Sequence, residues 1–108
     1  MWAWLFQRIT AVLLIVTLAI HLVFTHIIGI GDLTYETVGA RLAHVGFVAV
    51  DVILLTAGVY HALNGLRMVL MDYWFSSRAW ALVLTIVLWL LGIAAVVYGI
   101  WALWPWMI

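Results

Sequence analysis

Long apolar stretches, separated by short polar ones, follow one another along the whole chain. The apolar stretches cover about residues 4–30, 40–71 and 79–104, and polar connections join them at 31–39 and 72–78. A helix that crosses the hydrocarbon core of a bilayer needs about 20 mostly apolar residues, and each stretch exceeds this length. The pattern therefore predicts three transmembrane helices in a single domain, residues 1–108, with no room for a separate soluble domain.

The composition supports this prediction and limits the chemistry. Hydrophobic residues make up 70% of the 108 positions and charged residues 7%, which indicates an all-α membrane protein with no nucleic-acid partner. The apolar run after Arg8 is longer than the core of a signal peptide, so we expect it to be retained as a helix. Because cysteine is absent, any metal would depend on histidine and carboxylate, and covalently attached c-type haem is excluded.

The arginines give the predicted orientation, because the chain contains four of them and no lysine. Arg8 precedes the first helix, and Arg67 and Arg78 flank the second connection on the same side, whereas Arg41 lies on the other side. The positive-inside rule places the side with more arginines in the cytoplasm. We therefore expect a cytoplasmic N-terminus and a cytoplasmic connection at 72–78.

One face of the second predicted helix is polar and carries a glycine. His61, Gly65, Met68 and Asp72 follow one another at steps of four, three and four residues, so they share this face. A glycine one turn from a histidine would let a flat group such as a haem porphyrin approach the backbone. Alternatively, the glycine serves close helix packing and the histidine bonds to a neighbouring helix. The spacing alone leaves both interpretations open.

Three segments carry a resemblance to a known family. His61 to Tyr73 reads His-Ala-Leu-Asn-Gly-Leu-Arg-Met-Val-Leu-Met-Asp-Tyr and resembles the cytochrome b membrane anchor of succinate dehydrogenase, a succinate:quinone oxidoreductase. Residues 4–11, Trp-Leu-Phe-Gln-Arg-Ile-Thr-Ala, resemble the start of that family's first helix, and residues 31–36, Gly-Asp-Leu-Thr-Tyr-Glu, its first connection in some members. The Ser-x-x-x-Arg pattern of the larger anchor is not evident before the first helix, which favours the smaller of the two anchor types.

The resemblance implies a three-helix anchor that forms a haem-binding bundle with the larger cytochrome b anchor subunit. It would dock the iron–sulfur and flavoprotein subunits to a prokaryotic cytoplasmic membrane, and no catalytic residue is assigned to the chain itself. His61 would be an axial ligand of haem b, with the other ligand from the partner anchor. Asp72 and Tyr73 would line a site for a quinone, ubiquinone or menaquinone. Alternatively, Asp72 and Tyr73 are an interfacial pair solvated by headgroups and water.

Two arginines have two interpretations each. Arg67 would bind a haem propionate or extend to lipid phosphates. Arg8 would be a determinant of orientation only, or a neighbour of the quinone site, which the resemblance allows.

Further ionisable residues suggest a second site. His21 and His26 are five residues apart, which in an α-helix turns them to nearly opposite faces, so at most one is expected to face a given haem. His44 is a candidate ligand of a second haem or an interfacial histidine, and His21 is a candidate for that haem or for the haem of His61. Asp51 would be protonated and hydrogen-bonded in the bundle, part of a proton path, or paired with an arginine of the partner.

Other functions also fit the sequence. The chain could be the anchor of a quinol:fumarate reductase, which uses the same parts in the opposite direction. A haem-free proton-channel or transporter subunit, in which Asp51 and the histidines form a relay, belongs to a different class. A purely structural subunit of a larger respiratory complex is a third alternative.

Overall fold

The computed structural model describes residues 1–27, 34–74 and 77–107, and nearly all of them are helical. Helix α1 (Trp2–Leu22) continues into a π-helical turn (Val23–Ile27), and α2 (Tyr35–Leu42), α3 (Val45–Tyr73) and α4 (Arg78–Met107) follow. Three segments are long and apolar enough to cross a membrane: Trp2–Ile27, Val45–Tyr73 and Arg78–Trp106. The prediction of an all-α membrane protein with three spanning helices is confirmed.

Helix α3 lies between α1 and α4 and is antiparallel to both. On one side, Asn64 of α3 bonds to the Ala3 carbonyl at the start of α1, and Phe47 packs against Phe24 at the other end, with ring centroids 5.5 Å apart. On the other side, Arg67 of α3 bonds to Thr85 of α4. The start of α1, the end of α3 and the start of α4 therefore lie together, at what we call the Tyr73 end. The opposite end, which includes α2, is called the α2 end.

Glycines allow α4 to approach α3 closely. A Cβ atom at Gly99 would lie 2.5 Å from Cδ2 of Leu55, and one at Gly92 would lie 3.0 Å from Cδ1 of Leu63. Lipid provides no hydrophobic force between helices, so small residues that permit backbone approach stabilise such contacts.

Threonine hydroxyls in the spanning helices donate to carbonyls of their own helix. The hydroxyls of Thr10 and Thr17 donate to the carbonyls of Phe6 and Leu13, each at 2.7 Å, and Thr25 donates to the His21 carbonyl in the same way. All three threonines are buried. Bonds of this kind satisfy a hydroxyl that would otherwise be unpaired in hydrocarbon.

The region before α3 differs from the prediction of one helix over 40–71. A separate helix, α2, is opened by Thr34, whose hydroxyl accepts from the Thr37 N–H at 3.2 Å while Thr37 Oγ1 accepts from the Thr34 N–H at 3.0 Å. This reciprocal capping stabilises a helix start within the predicted connection. The break comes at His44, the residue before α3, which has extended backbone dihedrals. Residues 28–33, which include the end of the predicted first helix, lie outside the described residues.

Candidate functional site

His61 is a half-buried residue of α3 that faces α1, and one of its ring nitrogens is hydrogen-bonded within the protein. Its Nδ1 is 3.1 Å from Oγ1 of Thr10, which also lies 2.7 Å from the Phe6 carbonyl. Within the described part of the chain, Nε2 of the same ring has no hydrogen-bond partner. An imidazole with one nitrogen held and the other open is suited to binding haem iron, so the residues present fit this group.

Two amides hold the same turn of α3 against α1. The side chain of Asn64 donates to Oε1 of Gln7 at 2.8 Å and to the Ala3 carbonyl at 3.0 Å. Gln7 in turn donates from Nε2 to the His61 carbonyl at 3.2 Å. A Cβ at Gly65 would lie 3.0 Å from this Nε2 atom. Gly65 therefore lies against α1, as the helix-packing alternative expects, and the bond from His61 to Thr10 is the other part of that alternative.

The sequence interpretation missed Thr10, Gln7 and Asn64 as parts of the site. Gln7 and Thr10 are three residues apart and share a face of α1, and His61 and Asn64 have the same spacing on α3. Two polar residues at helical spacing in each of two apolar helices are the signal that could have indicated this contact.

Asp72 and Tyr73 are in the last turn of α3, eleven and twelve residues beyond His61. Both side chains are exposed, and Tyr73 retains 76% of its accessible surface. At 1.5 Å per residue, the distance along α3 from His61 to Asp72 is about 16 Å. Both groups are therefore accessible to a ligand or a partner subunit at the Tyr73 end.

Arg8 lies near the same end, on α1. Its guanidinium carbon is 4.2 Å from the centroid of the Trp4 ring, a cation–π contact. Among the described residues it forms no ion pair and no hydrogen bond with Asp72 or Tyr73.

Arg67 points to α4. Its Nε donates to Oγ1 of Thr85 at 2.8 Å, and the Thr85 hydroxyl donates to the Ala81 carbonyl at 2.8 Å. Arg67 also lines an open groove of about 740 Å³, whose other lining residues are Arg78, Ala79, Ala81, Leu82 and Thr85. Six helical positions separate Arg67 from His61, so the two side chains leave α3 about 120° apart. Arg67 is thus turned away from His61 and toward α4, and its binding to a haem propionate or to lipid phosphate stays a prediction.

His21 and Asp51 form a second polar link between α1 and α3. Nδ1 of His21 is 2.9 Å from Oδ1 of Asp51, and the two side chains retain 27% and 18% of their accessible surface. The partner of Asp51 is thus a histidine of the same chain. Since Asp51 is ten residues from His61 on α3, about 15 Å along the helix, His21 is too distant for the two histidines to bind one iron.

The π-helical turn brings His26 close to His21. The two ring centroids are 6.2 Å apart, although we expected the rings on nearly opposite faces. In a π-helix the hydrogen bond joins residues i and i+5, so each turn contains more residues than in an α-helix and positions five apart approach one face. The expectation assumed a regular α-helix and was wrong for this pair.

His44 is exposed at the α2 end. Its ring centroid lies 6.0 Å from that of Phe47. Within the described ranges, no three side chains among His, Asp and Glu are grouped so that they could hold a metal ion. A second haem at His44, with or without His21, stays a prediction.

These features define a polytopic membrane protein in which a histidine is held between two spanning helices. A family model described as the succinate dehydrogenase/fumarate reductase transmembrane subunit matches residues 1–101. The chain belongs to this family, as the resemblance in the sequence predicted.

Two curated relatives carry related names. The chain is 41% identical over 70 residues to a succinate dehydrogenase hydrophobic membrane anchor subunit of Archaeoglobus fulgidus. The matched segment covers 65% of this chain and 60% of the relative. The chain is 27% identical over 92 residues to the succinate dehydrogenase 2 membrane subunit SdhC of Mycobacterium tuberculosis. This match covers 85% of the chain and 65% of the relative. The chain thus spans 60% to 65% of the length of these relatives. No solved structure matches the chain.

Proposed function

We propose that this chain is a membrane-anchor subunit of a succinate dehydrogenase complex. In this proposal the spanning helices Trp2–Ile27, Val45–Tyr73 and Arg78–Trp106 form the anchor, and succinate oxidation belongs to other subunits. The chain pairs with a larger cytochrome b anchor, as the smaller anchor of the two, and docks the iron–sulfur and flavoprotein subunits. Family membership and the names of the two relatives support the assignment as a membrane-anchor subunit.

The observation that carries the cofactor proposal is the environment of His61. One ring nitrogen is held by Thr10 at 3.1 Å, and the other is open for iron. When bound, haem b supplies a one-electron carrier inside the membrane. A second ligand would come from the partner anchor, because no other histidine of the described residues lies near His61.

The quinone site is proposed at the Tyr73 end, where Asp72 and Tyr73 are exposed. The Tyr73 hydroxyl donates a hydrogen bond to a quinone carbonyl. Asp72 orients this hydroxyl or delivers protons as the quinone is reduced. The substrate class is a membrane quinone, ubiquinone or menaquinone.

The family also includes fumarate reductase anchors, so the opposite direction of turnover is the second candidate. It uses the same residues of this chain. Rates of succinate oxidation with quinone and of fumarate reduction with quinol, measured on one preparation, decide between the two directions.

The test of the proposed function is a reduced-minus-oxidised visible spectrum of the purified complex, with haem quantified per copy of this chain. We expect b-type haem in the native complex and its loss in His61→Ala. His26→Ala, which changes an exposed histidine of the π-helical turn, is the matched control and is expected to retain haem. A full haem complement in His61→Ala would contradict the ligand assignment, and a native complex without haem would favour a purely structural or channel function.

A further inference from the structure

We propose that Thr10 is a positioning residue for His61. Through one hydrogen bond, Thr10 selects the ring tautomer that can bind iron and adjusts the reduction potential and the binding of the haem. The inference rests on the proposed haem ligation by His61. Thr10 is on α1 and His61 on α3, so this function depends on the packing of the two helices. It concerns the nitrogen of His61 that does not bind iron.

The hydrogen atoms around Thr10 can be accounted for individually. A threonine hydroxyl has one hydrogen to donate and two lone pairs to accept with. Oγ1 of Thr10 is 2.7 Å from the Phe6 carbonyl and 3.2 Å from the Gln7 carbonyl, and a carbonyl can only accept. The hydroxyl hydrogen therefore goes to the backbone carbonyls. Oγ1 remains as an acceptor for His61, whose Nδ1 lies 3.1 Å away.

This arrangement assigns the hydrogen of a neutral His61 ring to Nδ1. The Nε2 atom then carries the lone pair, which is the form that binds a metal. With Nε2 protonated instead, Nδ1 and Oγ1 would face each other with lone pairs, unless the hydroxyl gave up its carbonyl bond. Thr10 therefore prepares the ligand before iron binds, and a change that removes its oxygen leaves Nδ1–H without a partner.

The position of Thr10 is fixed by its surroundings. The side chain retains only 8% of its accessible surface, and a threonine on a helix has few χ1 rotamers. Gln7, one turn before Thr10, bonds to the backbone carbonyl of His61 at 3.2 Å. Helix α1 thus holds both a ring nitrogen and the backbone carbonyl of the ligand residue.

The hydroxyl is a weak acceptor compared with the carboxylate that bonds to His21. Acceptors at the second nitrogen of a ligating imidazole increase its basicity, and a carboxylate does so most strongly. A more basic imidazole stabilises ferric over ferrous haem and lowers the reduction potential. Losing the Thr10 acceptor should therefore raise the potential of the haem and weaken its binding.

The chain offers a matched control for this contact. Thr17 is also on α1, is buried at 5% exposure, and donates to the carbonyl four residues earlier at 2.7 Å, as Thr10 does. It has no hydrogen bond to a histidine among the described residues. Thr17→Val removes a hydroxyl with similar burial and the same backbone bond, but leaves the His61 ring unchanged.

The experiment compares native complex with Thr10→Val, Thr10→Ser and Thr17→Val by redox titration of the haem spectrum, low-spin electron paramagnetic resonance and haem release to apomyoglobin. We expect Thr10→Val to raise the haem potential, to shift the paramagnetic resonance signal and to weaken haem binding about 10- to 100-fold. Thr10→Ser keeps the oxygen and should remain close to native. Thr17→Val should match native in all three measurements.

Each contrary result has a definite meaning. A haem potential and haem affinity in Thr10→Val equal to native would overturn the positioning function and leave His61 ligation intact. Equal shifts in Thr10→Val and Thr17→Val, or in Thr10→Val and Thr10→Ser, would overturn it too, because the histidine contact would not be the cause. A native complex that contains no haem would overturn the proposed function and this inference together.

Discussion

Tyr73 and Asp72 are the exposed polar side chains of the last turn of α3. Neither forms a hydrogen bond or an ion pair within the described residues, so helix packing does not account for them. A phenol at a membrane interface provides a ring for the apolar side and a donor for a polar ligand. This combination matches a quinone, which has a flat ring and two carbonyl acceptors.

We expect Tyr73→Phe to lower the rate of quinone reduction at subsaturating quinone by about 2- to 10-fold. The reason is the loss of one neutral hydrogen bond, which contributes about 0.5–1.5 kcal/mol. The measurement is succinate-dependent quinone reduction by the intact complex, divided by its reduction of a dye that accepts electrons before the quinone site. Tyr98→Phe, at another exposed tyrosine, is the control. Unchanged quinone kinetics in Tyr73→Phe would remove the tyrosine from the proposed site.

The sequence predicted some candidate residues and missed others for a physical reason. His61 stood out because ionisable groups are rare in an apolar segment, whereas the roles of Asp72 and Tyr73 came from the resemblance to the family, and all three roles stay predictions. Thr10 could not be assigned as the partner of His61, because the register of α1 against α3 depends on tertiary packing. Gly65 was ambiguous for the same reason, since a glycine favours any close approach and the sequence does not say of what.

Helices α1 and α3 are joined at two levels along their contact. Thr10 meets His61 near the middle of α3, and His21 meets Asp51 eleven residues further along α1, toward the α2 end. The two links fix the register of the helices, because a slide by one residue along either helix would break both. The second link also gives the intramembrane carboxyl of Asp51 a partner within the chain, which lowers the cost of burying it.

We predict that Asp51→Leu destabilises the α1–α3 contact by about 0.6–1.7 kcal/mol, from the average to the maximum measured for hydrogen bonds between membrane helices. Asp51→Asn keeps an acceptor oxygen for the Nδ1–H of His21 and should cost less. The measurement is the unfolding of intact complexes in micelles with a rising fraction of SDS. Thr56→Val, at an exposed threonine of α3, serves as the control. Equal stability of Asp51→Leu and native complexes would show that the link is energetically neutral.

At the scale of elements, the sequence predicted what depends on apolar length and missed what depends on local hydrogen bonding. The three spans follow from hydrophobic runs that are long enough for a bilayer. The start of α2 depends on reciprocal bonds between Thr34 and Thr37, and the π-helical turn at Val23–Ile27 depends on one extra residue in a turn. Such features leave the hydrophobic pattern nearly unchanged, although the π-helical turn decides whether His21 and His26 meet.

The whole molecule measures 51 Å along its longest axis, whereas the hydrocarbon core of a bilayer is about 30 Å thick. Both ends therefore reach the headgroup regions. The Tyr73 end carries Arg8, Arg67 and Arg78, and the α2 end carries Arg41 with Glu36. Helix α1 is antiparallel to α3, and α3 is antiparallel to α4. This order brings Arg8, Arg67 and Arg78 to one end, which the positive-inside rule predicts to be cytoplasmic.

The orientation in the membrane can be tested directly because the chain has no cysteine. We predict that Ser77→Cys, at the Tyr73 end, reacts with a membrane-impermeant maleimide only after the cells are opened. Glu36→Cys, at the α2 end, should react in intact cells whose outer barrier is permeable to the reagent. The reason is that three of the four arginines lie toward the Tyr73 end, and cytoplasmic loops are enriched in positive charge.

The same labelling also tests the proposed quinone site. In the proposed complex the iron–sulfur subunit docks on the cytoplasmic side and delivers electrons to that end of the anchor, so the proposed quinone site requires Asp72 and Tyr73 to lie there. If Ser77→Cys were labelled in intact cells and Glu36→Cys were not, these two residues would lie on the outer side. The quinone site would then have to be sought at the α2 end, near the exposed His44.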